Sequence, residues 1–247
     1  MGDRRGCHGL AGMGIHTAGE RQVNKEKERV KKMEKKQIQI APPNIKTVEF
    51  FIKGTAPLVV HKFSQKAILQ IRQKQEAGSV ANKNKKREAK NFDDLFNGSR
   101  HTSTEGWDGI PASAFRCAMI SACRICGFKM TLAKMSIFIN ADGFDATEGT
   151  PLIKIIGDKA EKYESMVRIG IGGSTTDISV RAMYRNWGAR PRVSFDGDQF
   201  SEQDVANLLM RVGIQVGICE GRPDSKNSAG MGWGTFKLVN SEAEILK

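Results

Sequence analysis

The stretch GICEGRPDSKNSAGMGWG, residues 217–234, sets mobile backbone beside positive charge and a flat ring. Gly217, Gly221, Gly230, Gly232 and Gly234 free the chain, Arg222 and Lys226 carry charge, and Trp233 offers an indole face. Glycine lets a main chain approach a ligand closely. Exposed N–H groups in such a loop form an anion nest, arginine pairs with phosphate, and tryptophan stacks on a base. The chemistry on offer is the holding of a phosphate chain. The competing reading is a flexible hairpin loop closed over a buried Trp233.

A second concentration is SVRAMYRNWGARPRVSF, residues 179–195, which holds Arg181, Arg185, Arg190 and Arg192 with Tyr184 and Trp187 between them and no acidic residue. Arginine interleaved with aromatics suits a face that binds single strands. On a strand, Arg181, Met183 and Arg185 share one face and Tyr184 takes the other. The competing reading is an arginine-rich edge strand that discourages aggregation. Lys83, Lys85, Lys86, Arg87 and Lys90 form a third basic group inside residues 79–108. That stretch reads as a long basic surface insertion with one helical piece, and loops of such length are functional or disordered.

Other chemistries find less support. Cys123 and Cys126 form a CxxC with Cys117 nearby, but a zinc site needs a second pair at matching spacing. The pair falls at the C-terminal end of a predicted helix, where the dipole raises a thiol pKa instead of lowering it. Small buried cysteines are the expectation, and neither metal nor cofactor is. No G-x-S-x-G, Walker loop or H-E-x-x-H occurs, and GIGGS at 170–174 lacks the dinucleotide pattern. Asp93 and Asp94 lie in the insertion, and Asp142 and Asp145 lie in an NADGFDATEG loop. Such pairs bind magnesium or act as bases in some proteins, but solvated turn carboxylates are the reading here.

The elements that position these groups follow from pattern. The chain has 247 residues, 39 Lys and Arg against 27 Asp and Glu, and a formal charge of +12. That excess favours polyanions; the plain alternative is a solubilising surface. With no run of about 18 apolar residues and no secretory pattern, neither membrane span nor export is expected. The five cysteines are then reduced and the compartment cytoplasmic. Residues 1–40 read as a disordered basic tail, since Val23, Val30 and Met33 are the only apolar residues among eight basic and four acidic ones in 20–37. APPN at 41–44 opens a single domain, 41–247.

Val48, Phe50 and Ile52 recur at period two, which predicts a strand. LVVHKF continues extended, and Ser64 caps a helix with an apolar stripe of Ile68, Leu69 and Ile71 that ends at Gly78. Pro111 opens a second helix, Phe115, Ala118, Met119, Ala122 and Ile125 line it, and Gly127 ends it. KMSIFINADG, PLIKIIGD, SMVRIGIGG, DISVRAMYRNW and RPRVSFDG read as strands. Ser201 begins a helix bearing Val205, Leu208, Leu209 and Val212, and strand IQVGI, the glycine loop and strand GTFKLV follow. The fold class is α+β with a mainly antiparallel sheet.

Two stretches carry a resemblance. GIPASAFRCAM, 109–119, is similar to the IPGSSLKGAL helix start of the RAMP superfamily, the RNA-binding proteins of CRISPR effector complexes, and residues 217–239 resemble the glycine-rich loop near the end of those proteins. The order of elements fits as well, and the match covers about 35 residues. Ala112, Ala114, Cys117 and Ile120 depart from the family's usual glycine, serine, glycine and arginine. The resemblance implies a ferredoxin-like, RNA-recognition-motif type core with insertions. It also implies RNA contacts at Ser113 and Arg116 on a helix N-terminus, and at Gly221, Arg222, Gly230 and Gly232 in the loop. The chain also looks like uncharacterised proteins of bacteriophages and prophages.

The expected function is non-catalytic binding of single-stranded RNA or DNA, RNA foremost, with several copies along one strand. Contacts come from Ser113, Arg116, Arg181, Tyr184, Arg185, Arg190, Arg192, Gly221, Arg222, Lys226, Gly230, Gly232 and Trp233, and from Lys83, Lys85, Lys86 and Arg87 of the insertion. Two alternatives stand beside it. One is a metal-dependent ribonuclease of RAMP type acting through Asp93, Asp94 or His61. The other is a phage structural or interaction protein whose charge aids assembly.

Overall fold

The period-two run around Val48 and Ile52 forms two consecutive strands, β1 (Ile45–Glu49) and β2 (Phe51–Gly54). Val48 and Phe50 are partly buried against the core and Ile52 is fully buried. In this computed structural model the described residues are Val23 and residues 40–62, 65–76, 89–169, 175–225 and 230–245. Apart from Val23 and residues 40–42, they belong to one compact unit, Pro43–Lys247. The predicted tail 1–40 and the basic run 83–87 lie outside the described residues, Val23 and Ile40 excepted.

After β3 (Leu58–Val60) come α1 (Gln65–Glu76), α2 (Phe92–Ser99), β4 (Gly109–Pro111), α3 (Ala112–Ala122), α4 (Met130–Ser136), β5 (Ile137–Asn140), β6 (Gly143–Phe144) and β7 (Pro151–Gly157). The chain continues through β8 (Glu161–Ile169), β9 (Thr175–Tyr184), β10 (Trp187–Ala189), β11 (Arg192–Asp196), α5 (Glu202–Arg211), β12 (Phe236–Val239) and α6 (Glu242–Ile245). The result is a mixed α+β fold whose strands all pair antiparallel.

Three sheets run in the orders β1-β11-β5, β12-β2-β10-β7-β4 with β6 also on β7, and β3-β9-β8. The first two are linked, because the Phe50 amide between β1 and β2 donates to Pro191 O between β10 and β11 at 3.0 Å. Two bent strands therefore lie centrally, with β12 outside one and β5 outside the other. Phe115 and Met119 of α3 and Val205 and Leu209 of α5 are fully buried in one cluster with Ile52, Ile137, Val193, Phe195 and Phe236.

Several expectations need correction. The α1 stripe is not buried: Ile68, Leu69 and Ile71 are all exposed. Pro111 is the residue before α3 rather than inside it, α3 stops at Ala122, and Ile125 is exposed. Lys134, Met135 and Ser136 belong to α4, not to a strand. IQVGI is no strand either, since Val212–Val216 continue α5 as one π-type turn whose Val212 and Val216 stay in the core. The described part of the insertion is folded against the domain and carries α2. Lys90 pairs with Asp177 and Asp93 with Lys162, tying α2 to the β8–β9 ribbon, and His101 and Ser103 are buried.

The start of α5 matches its signal. Ser201 Oγ accepts from the Asp204 amide at 3.1 Å and Asp204 Oδ2 accepts from the Ser201 amide at 3.0 Å, closing a capping box. Ser201→Ala is expected to lower the unfolding free energy by about 1 kcal/mol, read as a lower urea midpoint at unchanged slope.

Candidate nucleic-acid interface

The glycine loop folds mostly onto itself. Gly217, Gly221, Gly230, Gly232 and Gly234 have φ between +66° and +75°, and Cys219 joins them at φ +61°. These turns aim amides inward. Met231 N and Trp233 N both donate to Gly221 O, at 2.7 and 3.1 Å, Ile218 N donates to Gly234 O at 3.0 Å, and Gly234 N donates to Pro57 O at 2.8 Å. Glu220 N and Asp224 N are likewise bonded to Val59 O and Val216 O. The expected anion nest is corrected on these six amides, which find their acceptors inside the protein. Lys226 lies outside the described residues.

The loop is clamped to the ribbon of β8 and β9. Arg181 of β9 pairs with Glu220 of the loop and donates to Ser165 Oγ of β8 at 3.1 Å. Trp233 meets Tyr163 of β8 edge-on, with ring centroids 5.2 Å apart at 84°. Tyr163 and Arg181 are themselves cross-strand partners. His61 Nδ1 lies 3.6 Å from Glu220 Oε2. Burial holds His61 below the usual histidine range, against the pull of Glu220, and Arg181 adds to the lowering. Arg222 and Trp233 stay half-buried, Arg222 donating to Cys219 O at 2.9 Å. Burial pushes the Cys219 thiol up to about 12. Loop and ribbon are thus joined through Glu220 and Tyr163, two residues that the sequence reading passed over.

The arginine–aromatic run does not form one ribbon. Tyr184 is buried, at 1% exposure, and its hydroxyl donates to Asp108 Oδ2 at 2.9 Å, so no base reaches its ring. Burial first, and Asp108 second, raise its phenol. Trp187 is also core, donating to Ala56 O at 2.8 Å. β9 sits between β3 and β8 and is no edge. Met183 is buried, while Arg185 is exposed and pairs with Glu161 at 2.7 Å. Arg190 lies 3.4 Å from Glu49, and Arg192 bonds Ala141 O at 2.9 Å and Asp142 at 3.1 Å. Arg116 bonds Ile137 O at 2.9 Å and the Lys134 carbonyl, tying α3 to β5, while Ser113 is exposed on the first turn of α3.

A buried polar cluster escaped the sequence reading. Asp145, expected as a solvated turn residue, is 2% exposed. Its Oδ1 accepts from Lys62 Nζ at 2.6 Å, the Thr147 amide at 2.8 Å and the Glu148 amide at 3.0 Å, and His101 Nδ1 lies 3.2 Å from Oδ2. An ionised carboxylate only accepts, so the His101 tautomer that fits carries its hydrogen on Nδ1. Burial alone would raise the Asp145 carboxyl, but Lys62 and the two amides outweigh it and hold it well below the usual range. Asp142 is also engaged, by Arg192 and the Lys154 amide.

Cys123 is buried and its thiol is pushed up to about 11 by that burial, while Cys117 and Cys126 are exposed. Among the described residues no three His, Cys, Asp or Glu gather as metal ligands, and no helix is long and apolar enough to cross a membrane. His61 and Asp93 have different partners, Glu220 and Lys162.

No family model and no curated protein matches the sequence. Among solved structures, the chain is similar to one in "Cryo-EM structure of the Type III-B Cmr-beta bound to cognate target RNA", at TM-score 0.44 and 10% identity, over 89% of this chain. It spans 65% of that chain's length. At that level the likeness assigns neither family nor function.

Proposed function

We propose that this chain is a non-catalytic protein that binds single-stranded nucleic acid, RNA in preference to DNA, across the glycine loop and the β8–β9 ribbon. The carrying observation is the clamp of Arg181 on Glu220 and Trp233 on Tyr163, which holds the loop that bears the half-buried Arg222 and Trp233 against an extended ribbon. The formal charge of +12 supports a polyanionic partner. Arg222 and Trp233 make the central contacts, with Arg185 and Ser113 as outlying ones; Arg116, Arg181 and Arg192 serve the frame that holds them.

A ferredoxin-like core of RAMP type belongs to the same reading. The order β12, β1–β2, β10–β11, β5, with α3 leading to β5 and α5 leading to β12, supports it. The alignment of several copies along one strand, as in the family it resembles, is part of the same proposal.

The test is fluorescence anisotropy with a labelled single-stranded RNA at several salt concentrations. Wild type is expected to lose affinity steeply as salt rises, because phosphate contacts release counterions. Arg222→Ala/Trp233→Ala is expected to weaken binding by about tenfold or more, the worth of one stacked base and one phosphate contact. Salt-independent binding, or none, would remove the reading.

A further inference from the structure

β2 and β12 pair so that Lys53 stands directly opposite Lys237, with Ile52 opposite Leu238 and Gly54 opposite Phe236. Ile52 and Phe236 are buried, and strand side chains alternate, so both lysines leave the sheet on the face away from the core. Directly opposed Cβ atoms lie about 5 Å apart, and like charges in that position repel. Among the described residues no carboxylate makes an ion pair with either lysine. The carboxylates of the neighbouring α6 have other partners: Glu242 faces Arg190 and Glu244 accepts from the Asn240 amide.

Lys237 of this pair is exposed and Lys53 half-buried, and the loop leads to them. Across β2 the neighbour of Lys53 is Gly188, over which the Ile245 side chain of α6 packs, so α6 bounds the pair on that side. Two residues nearer the glycine loop, Thr55 N donates to Thr235 O at 2.9 Å and Thr55 Oγ1 to Thr235 Oγ1 at 3.0 Å. Thr235 Oγ1 in turn donates to Gly232 O at 3.3 Å. The threonine hydroxyls use their hydrogens to hold the strand ends to the loop, and the lysines keep theirs for a ligand. An anion between the two ammonium groups turns one repulsion into two attractions.

We propose that Lys53 and Lys237 seat one phosphodiester group of the strand that the glycine loop engages, which carries the nucleic acid from the loop onto the outer face of the sheet. The proposal rests on the nucleic-acid reading of the loop. Its test separates the two. Lys237→Glu sets a carboxylate opposite Lys53, which relieves the repulsion and removes the seat together. The variant is expected to melt at or above the wild-type temperature, yet to bind labelled single-stranded RNA about tenfold more weakly. The slope of log affinity against log salt is expected to fall by about 0.7 for each phosphate that is no longer neutralised.

Should Lys237→Glu melt lower, Lys53→Gln/Lys237→Gln takes its place with the same expectation for binding. Wild-type affinity and slope in a folded variant overturn the seat and leave the loop standing. No binding of RNA by wild type overturns both. Capture on phosphatidylserine vesicles without capture of RNA overturns the assignment to nucleic acid.

Discussion

Asp145→Ala is expected to cost about 3–5 kcal/mol of unfolding free energy, because it strips one partner from a buried ion pair. Lys62 is 8% exposed and, among the described residues, its ammonium would be left with Thr147 Oγ1, at 2.9 Å, as a side-chain hydrogen-bond partner. His101 would lose the acceptor that orients its ring. Replacing both ends of the pair at once, Lys62→Met/Asp145→Leu, is expected to recover most of the loss, since apolar side chains of similar size carry no stranded charge. Urea denaturation of the set measures this; a double variant as weak as Asp145→Ala would show that the cluster holds the loop in some other way.

The same cluster sets the response to acid. Asp145 binds its proton less readily in the folded chain than at the ordinary 3.8, so the unfolded chain takes up the proton first and stability falls below about pH 4. His101 and His61 both lie below 6.5 when folded, His101 through burial first. The unfolded chain therefore protonates first here too, and a further loss begins near pH 6.5. Both losses run in the same direction, and the Lys62→Met/Asp145→Leu variant is expected to lack the lower one.

Gly234→Ala is expected to cost about 3 kcal/mol or more, by strain and clash together. At φ +66° a Cβ there would stand 2.0 Å from Ile218 O, in the place where Ile218 N and Gly234 N make the bonds that close the loop. Gly232 is the control. It has φ +75° but nothing within 4 Å of a Cβ, so alanine meets the left-handed cost alone, about 1–2 kcal/mol. On the proposed reading, Gly234→Ala loses RNA binding together with the loop. Equal thermal stability of the two variants would refute the account of the loop as a self-closed unit.

Local signals were legible where local physics decides. Alternation at Val48, Phe50 and Ile52 marked the central strand, Ser201 with Asp204 marked a helix start, and Phe115, Ala118, Met119 and Ala122 marked a buried helix face. What stayed hidden depends on partners far along the chain. Asp145 looks like a turn residue until Lys62, 83 positions earlier, is brought to it. Arg181 reads as a free cation until Glu220, 39 positions later, takes it. Tyr184 looks available for stacking until Asp108 accepts its hydroxyl. Counting Arg222 and Lys226 made the loop look cationic, while Glu220 and Asp224 in the same stretch bind arginines of neighbouring elements. The cationic pair at Lys53 and Lys237 was invisible because opposition across strands depends on register.

The ribbon has one further consequence. Among the described residues β8 borders its sheet, with nine positions paired to β9 on one side only. A bare rim of that length is a template for fibril growth. Glu161, Lys162, Glu164 and Arg168 punctuate it, and in a cross-β stack each would confront its own copy about 4.8 Å away. The protein can therefore hold out a long, half-satisfied backbone rim without offering it to polymerisation, and protection that Arg181 of β9 does not provide comes from the mixed charges of its neighbour.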